Sequence, residues 1–521
     1  MNPEPWTPAL RRNVSRGDDP DLPGELSADV VIVGSGAGGG TAAEILQKAG
    51  LQVLLVEEGD LRTAADFSLR EEEAYETMFQ EVAGRKTTDT GINIFQGKTV
   101  GGSTTVNGTS SFRTPSYVLR YWQERFGVSG LGAEELGPWF EAVEKRLHIQ
   151  PWAIPPNMNN QILLKGARAT GVSSAIIPRN VHRCQNLGLC GVGCPANAKQ
   201  SMLITSIPAA VAAGTKMLVR TRADSLVHAR KGIRELRCRS VDDTGRILRL
   251  RARHFVVAAG GIGSAALMLR SGLPDPHDRM GRRTFLHPSV ISVADFPEAV
   301  AGYYGAPQSV YSDHYMSRVP WEKPREFKLE TVPVYPLLYV ALVNGIGEEH
   351  VREIRRFPNT GLMIALLRDG FHSESEGGLA GLDDEGGPVM AYPYTEWLQE
   401  TSRDALLAMA RLQFAAGAKR IMPVHRDAVF VGSLAAAEKQ IGSLTMDEGH
   451  NRMFSAHVMG GCGMGEDPRK SVVNSQGRHH QVENLSVLDG SVFPTSLGVN
   501  PQVSIYAVIS ALADRLARDL G

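Results

Sequence analysis

Cysteine is scarce in this 521-residue chain: Cys184, Cys190, Cys194, Cys238 and Cys462 are all there is. Five thiols are too few for a disulfide scaffold. No run approaches the roughly 18 consecutive apolar residues that span a bilayer as a helix. Neither sign of charge dominates, with 55 Lys+Arg against 56 Asp+Glu. That balance excludes a polyanion or an acidic membrane surface as the implied partner, so no nucleic acid is expected. The opening stretch, MNPEPWTPALRRNVSRGDDPDLPGEL, has an Arg pair but no apolar run behind it. It is therefore not read as an export signal, and the cytoplasm is the expected location. Internal repeats and low-complexity segments are missing too.

Glycine, by contrast, is plentiful at 55 residues, well above the usual fraction of about 7%. Much of it falls in short clusters, which suits tight turns and the close backbone approach of a large bound cofactor. The first cluster follows a change of character at Ala28. ADVVIVGSGAGGGTAAEILQKAGLQVLLVEEGD reads as an apolar strand (Val30 to Val33), a glycine turn, a helix (about Gly38 to Lys48) and a second apolar strand (Val53 to Val56). Both strands are continuous hydrophobic runs, the pattern of parallel strands covered on both faces.

Gly34, Gly36 and Gly39 place G-x-G-x-x-G at the strand-to-helix junction. The first glycine makes the turn and the second admits a pyrophosphate against the backbone. The third lets helix and strand touch, and the helix N-terminus favours the phosphate charge. Glu57 ends the second strand, where a carboxylate can accept from ribose hydroxyls. The motif, the two strands, the helix and the acid together predict an α/β dinucleotide-binding unit.

Further along, GKTVGGSTTVNGTSSFR holds Gly101-Gly102-Ser103, then Asn107 and Gly108. Backbone N–H groups in such a loop can face an electron-rich ring or a second phosphate. Residues 131–170 read as helical. SIPAAVAAG reads as a helix, and KMLVRTRADSLVHARKG, IRELRCRSV and ILRLRARHFVV as strands of an antiparallel ribbon. HFVVAAGGIGSAALMLRSGL repeats the strand, glycine turn and helix of the first unit. Residues 286–450 form a separate layer, with strands at VYPLLYVAL and GLMIALLRD and a helix from Thr395 to Ala416. At the end, NLSVLDGSVFP reads as a strand ending in Asp489, and the last helix begins near Asn500 and Pro501.

These stretches, taken in order, resemble the glucose–methanol–choline (GMC) flavoprotein oxidoreductases. The glycine fingerprint, GKTVGGSTTVNG, AAGGIGSAALMLRSG, HVMGGCGMG and NLSVLDGSVFPTSLGVNP carry the resemblance over residues 28–521. GVNP is similar to the cholesterol oxidase and long-chain alcohol oxidase side of the family, where Asn500 stands in place of a second histidine. CGVGCPANAKQS, FLHP at His287 and GLDDEGGPVMAYP resemble the bacterial long-chain alcohol oxidase or dehydrogenase subgroup.

The resemblance implies a Rossmann-like FAD-binding domain of GMC type with an α+β substrate domain built on an antiparallel sheet. The expected partition is an N-terminal arm at 1–27, FAD-binding segments at 28–130, 205–285 and 451–521, and a substrate domain at 131–204 and 286–450. FAD, covalently bound or not, is the implied cofactor, with Gly34, Gly36, Gly39, Glu57, Gly102, Ser103, Asn107, Asp489 and Asn500 around it. Oxidation of an alcohol CH–OH by hydride transfer to flavin N5 is the implied reaction. The small-molecule alcohol and its electron acceptor (dioxygen, a quinone or a protein) are not named by the sequence.

His457, in SAHVMGGCGMG, reads from its neighbours alone as a structural histidine. Position in the family makes it the base instead. Hydride departure leaves charge on the carbinol carbon unless the hydroxyl proton goes too, and a neutral imidazole can take it. Asn500 would orient the substrate oxygen. His287 fits a structural, flavin-flanking or catalytic role. Asp489 fits either a contact to FAD or a cap on the turn after it. His479 and His480 read as an exposed pair in a polar turn. Cys184, Cys190 and Cys194 read first as a structural loop. An iron–sulfur cluster is the alternative, and with it a dehydrogenase subunit that feeds electrons to a partner. Zinc would want a fourth ligand, for which only His182 is nearby, and ranks last. A non-redox lyase on the same fold is the remaining alternative.

Overall fold

The expected nucleotide unit forms as a strand over Glu25–Val33 (β1), a helix over Ala37–Lys48 (α1) and a strand over Val53–Val56 (β2). Farther along, a strand over Ile247–Val257 (β3) runs parallel to β1 and leads into a helix over Gly260–Arg270 (α2). The protein was obtained as a computed structural model that describes residues 2–229, 232–243, 245–317, 319 and 325–521.

An eight-stranded sheet is ordered Val14–Arg16, Lys216–Val219, β2, β1, β3, Gly232–Ser240 and Thr221–Ala229, with Leu485–Val487 also pairing to β3. Val30, Val31, Ile32 and Leu55 are fully buried in its centre, because helices rather than solvent cover parallel strands. β3 joins the two patterns: its first half pairs antiparallel with Gly232–Ser240, while along its length it pairs parallel with β1. The arm expected to be irregular is ordered. Trp6 is buried and donates its Nε1–H to the Leu203 carbonyl at 2.9 Å, and Val14–Arg16 adds the edge strand.

The second sheet also has eight strands, including Ser289–Asp295 (β4), Phe327–Thr331 (β5) and Thr360–Leu367 (β6). β4, β5 and β6 pair antiparallel, as expected for the second layer. A helix over Glu396–Ala415 (α3) and another over Met158–Thr170 cover one face. Alternation along β4 sends Ser292 to Gln413 of α3 and leaves Ile291 on the opposite face. The chain crosses between the layers more often than the expected segment boundaries imply. Ile92–Ile94 and Met453–Ser455 are strands of this second sheet, and Ala133–Arg146 packs on the terminal helix Gln502–Leu520.

VYPLLYVAL is a correction. Pro336–Leu342 is a helix, not a strand. Proline fits the first helical turn, Tyr339 and Leu342 fall three apart and are buried, and the Glu71 carboxylate accepts from the Leu337 and Leu338 amides. The strand expected to end at Asp489 is Leu485–Val487, followed by a single 3-10 turn. Among the described residues no helix is long and apolar enough to cross a membrane.

Candidate active site

A cavity of about 740 Å³ runs from the glycine turn between β1 and α1 to the uncovered face of the second sheet. That volume lies in the upper part of the range for organic-ligand sites. Its two ends are built differently.

At one end the wall is backbone. Gly34 has φ +96°, and a Cβ there would sit 2.3 Å from the Ala258 carbonyl oxygen. Gly36 meets nothing within 4 Å, so its open side is the cavity. Gly39 does not line the cavity; a Cβ there would lie 1.8 Å from the Gly34 carbonyl oxygen, so it is the packing glycine of the motif. Gly38, which the sequence reading passed over, is equally constrained by the Leu488 carbonyl at 1.9 Å. No side chain caps the N-terminus of α1, which leaves its amides and the positive end of its dipole for an anion.

Glu57 is buried at this end. Its Oε2 accepts from the Ser35 amide at 3.0 Å and hydroxyl at 2.6 Å, and its Oε1 from the Gly59 amide at 2.8 Å. Burial pushes its carboxyl up, and those bonds oppose the shift. Gly102 (φ +51°) and Ser103 bring a second loop against Gly36, with the Ser103 hydroxyl accepting from the Gly97 amide. This cradle, with an open glycine, an uncapped helix and a carboxylate at the next strand end, fits a dinucleotide such as FAD. Both oxygens of Asp489 are taken by the protein. Oδ2 accepts from the Gly260 amide and Ser264 hydroxyl, and Oδ1 from Ser491, so it caps both α2 and the following turn while lining the wall.

At the other end the wall is side chains. His457 and Asn500 line it together, with Asn500 Nδ2 3.4 Å from His457 Nε2. His457 Nδ1 faces His287 Nδ1 at 3.3 Å, and His287 Nε2 accepts from the Gly498 amide at 2.9 Å. The His457 imidazole is partly accessible, and what it opens onto is the cavity. Protein surrounds it otherwise, and burial, then the charge of Lys328, brings its pKa down to about 4. It is neutral throughout the physiological range.

Behind Asn500 lies a buried ion pair. Lys328 and Glu330, 1% and 0% exposed at their side chains, meet at 3.1 Å. Lys328 donates to Asn500 Oδ1 at 3.4 Å, and Asn500 Nδ2 donates to Glu330 Oε2 at 3.3 Å. The pair therefore fixes which way the amide points. Neither residue was singled out from sequence. Two charges at i and i+2 in the otherwise apolar FKLET put both on one face of β5, and that was the available signal. Asn107 joins this end, donating to Gln502 at 2.9 Å. The floor is the second sheet's face, including Ile291, Ile364, Leu366 and Phe454.

His479 is a correction. It is buried, not exposed, since its strand-like pairing with Val473 draws the ring inward, and His480 contacts the Ser471 hydroxyl at 2.9 Å. All five cysteines are free thiols. Among the described residues no group of three or more histidine, cysteine or carboxylate side chains is placed to hold a metal ion, so the iron–sulfur reading of Cys184, Cys190 and Cys194 gains no support.

The GMC oxidoreductase family models match residues 29–289 and 374–508. The chain belongs to the GMC oxidoreductase family. A long-chain-alcohol oxidase from Arabidopsis thaliana is 30% identical over 96% of this chain and 69% of its own length. An uncharacterized GMC-type oxidoreductase from Mycobacterium tuberculosis is 31% identical over 95% of this chain and 76% of its own. Among solved structures, formate oxidase from Aspergillus oryzae shares the fold with TM-score 0.71 at 15% identity, covering 96% of this chain and 100% of that one.

Proposed function

We propose that this GMC protein is an FAD-dependent oxidoreductase that converts an apolar primary or secondary alcohol to a carbonyl compound, with His457 as the base. The observation that carries this reading is the meeting of neutral His457 and oriented Asn500 on one wall of a cavity whose other end is a dinucleotide cradle. FAD bound in that cradle supplies the hydride acceptor.

The chain's own residues do the rest. The His457 imidazole takes the hydroxyl proton, which it can do at any pH above about 4 because burial and Lys328 keep the ring neutral. The same Lys328 charge opposes a lasting imidazolium, so the proton is passed on rather than kept. Asn500, its amide turned by Lys328 and Glu330, holds the alcohol oxygen at a fixed angle to His457. The sheet face at Ile291, Ile364 and Leu366 excludes water and receives the carbon chain. The name of the 30% identical plant relative, a long-chain-alcohol oxidase, agrees with that apolar floor.

A panel of aliphatic, aryl and sterol alcohols and free sugars, assayed with an artificial electron acceptor, tests this reading. Turnover is expected with apolar alcohols and not with free sugars. Purified protein that carries flavin yet is reduced by sugars alone would overturn the substrate class. Protein that no alcohol reduces would overturn the reaction.

A further inference from the structure

The cysteine-bearing segment and the strand over Pro178–Asn180 before it each carry a buried cation. Lys199, 2% exposed, donates to three backbone carbonyls, those of Thr105 at 2.8 Å, Asn107 at 2.9 Å and Cys190 at 2.5 Å. Arg179 is fully buried beside it. Its Nη2 donates to the Gly108 carbonyl at 3.3 Å and lies 3.6 Å from Cys190 Sγ, its guanidinium stacks 4.7 Å from the Trp152 ring, and its Nε and Nη1 have no partner. Among the described residues no carboxylate forms an ion pair with either cation. Buried charges are ordinarily paired, because removing one from water costs several kcal/mol. Neither cation has a carboxylate partner among the described residues, and the acidic groups the chain sets beside them are the thiols of Cys190 and Cys194.

What they stand behind is the cavity wall. Asn107, Gly108 and Gly191 line it, so Lys199 and Arg179 lie one backbone layer away, at the loop that reaches Gln502 and the Asn500 turn. We propose that Lys199 and Arg179 are positioning residues that hold the 105–108 loop from behind and set the reduction potential of the bound flavin, favouring its anionic reduced form. This rests on the reading that the cavity holds FAD. A positive charge near a flavin's ring is one of the levers by which a protein tunes it. Reduction leaves an added negative charge, and a cation in a low-dielectric wall stabilises that charge more than the oxidised ring.

The groups that face Lys199 are Cys190, Cys194 and Arg179, and Tyr335 lies against the same loop, accepting from the Gly191 amide. Burial brings the Lys199 ammonium down to about 8, with Arg179 adding to the fall and the two thiols opposing it. Its charge therefore weakens as pH rises through that value in the oxidised protein. Beside an added negative charge Lys199 would hold its proton more tightly, so reduction would be accompanied by proton uptake at Lys199 over a window that begins near pH 8. The potential should fall more steeply with pH above that point.

The experiment is a dye-linked reductive titration of purified, flavin-loaded protein from pH 6 to 10, on wild type, Lys199→Met and Lys199→Arg. Wild type should show the steeper segment. Lys199→Met should lose it and shift the reduced-to-oxidised equilibrium at least tenfold toward oxidised, about 30 mV for a two-electron couple. Lys199→Arg should keep the neutral-pH potential and lose the break. A Lys199→Met potential and pH slope equal to wild type overturn the proposal. Should Lys199→Met fail to hold flavin, the wild-type titration decides: a single slope through pH 8 overturns it. Wild-type protein without flavin absorbance contradicts the FAD reading itself, which separates the two failures.

Discussion

The two ends of the cavity are built from opposite materials. The cradle at Gly34, Gly36 and Gly39 is mostly main chain, its fingerprint and acid set within 24 residues from Gly34 to Glu57 and closed by the Gly102 loop. Its close backbone approaches depend on the absence of side chains. The His457 end is all side chain, drawn from segments near residues 107, 287, 328, 457 and 500, and its precision comes from a buried network. The difference predicts how each end breaks. The cradle should fail sterically and all at once, while the side-chain end should fail by chemistry and by degrees.

The largest effect should come from Gly39→Val, which drives a branched side chain into the Gly34 carbonyl, 1.8 Å from where even a Cβ would sit. Loss of bound flavin and of soluble protein is expected, read from absorbance and yield. Near-normal flavin content would show that the cradle yields more easily than its backbone implies.

Next is Glu330→Ala, which strands Lys328 without its partner in a site 1% exposed. A buried pair broken from one side costs about 3–5 kcal/mol. Denaturant unfolding should show that loss, and adding Lys328→Met should recover much of it. Additive losses in the double variant would mean the two charges do not depend on each other.

A pH effect sharpens the contrast further. The His457 pKa is brought from the usual 6.5 to about 4 by burial, and the neutral form is the one proposed as the base. The acid limb of kcat/KM should therefore appear near pH 4, with activity flat from there to neutrality. A limb at 6.5 would place the ring in solvent rather than in the cavity wall.

The smallest effect is graded. If the chain of an alcohol lies on Ile291, Ile364 and Leu366, each buried methylene contributes about 0.8 kcal/mol. kcat/KM should then rise about fourfold per added CH₂ until the chain outgrows the floor. Independence from chain length would remove the second sheet's face as the substrate surface.

Legibility in the sequence divides along the same line. The cradle could be read directly, because its glycines, apolar strands and Glu57 are contiguous and each local pattern has one structural meaning. His457 could not be read from its neighbours: its partners lie 43 to 170 residues away, and only family resemblance singled it out. Lys328 and Glu330 escaped because two charges in a short strand ordinarily mark a solvated face, and here that face is the interior. VYPLLYVAL went astray since a short apolar run fits strand or helix alike, and the decisive contact, Glu71 on the Leu337 amide, is 266 residues away. His479 differs from its expected place for a local reason, its burial set by pairing with nearby Val473 rather than by its polar surroundings.

Mixing flavin-loaded wild type and His457→Ala with a saturating apolar alcohol in the absence of oxygen, and following loss of the flavin colour in a stopped flow, tests the account most directly. Wild type should bleach, and the variant, carrying the same flavin, should bleach about 10²–10⁴ times more slowly. A variant that bleaches as fast as wild type would show that the proton is taken elsewhere.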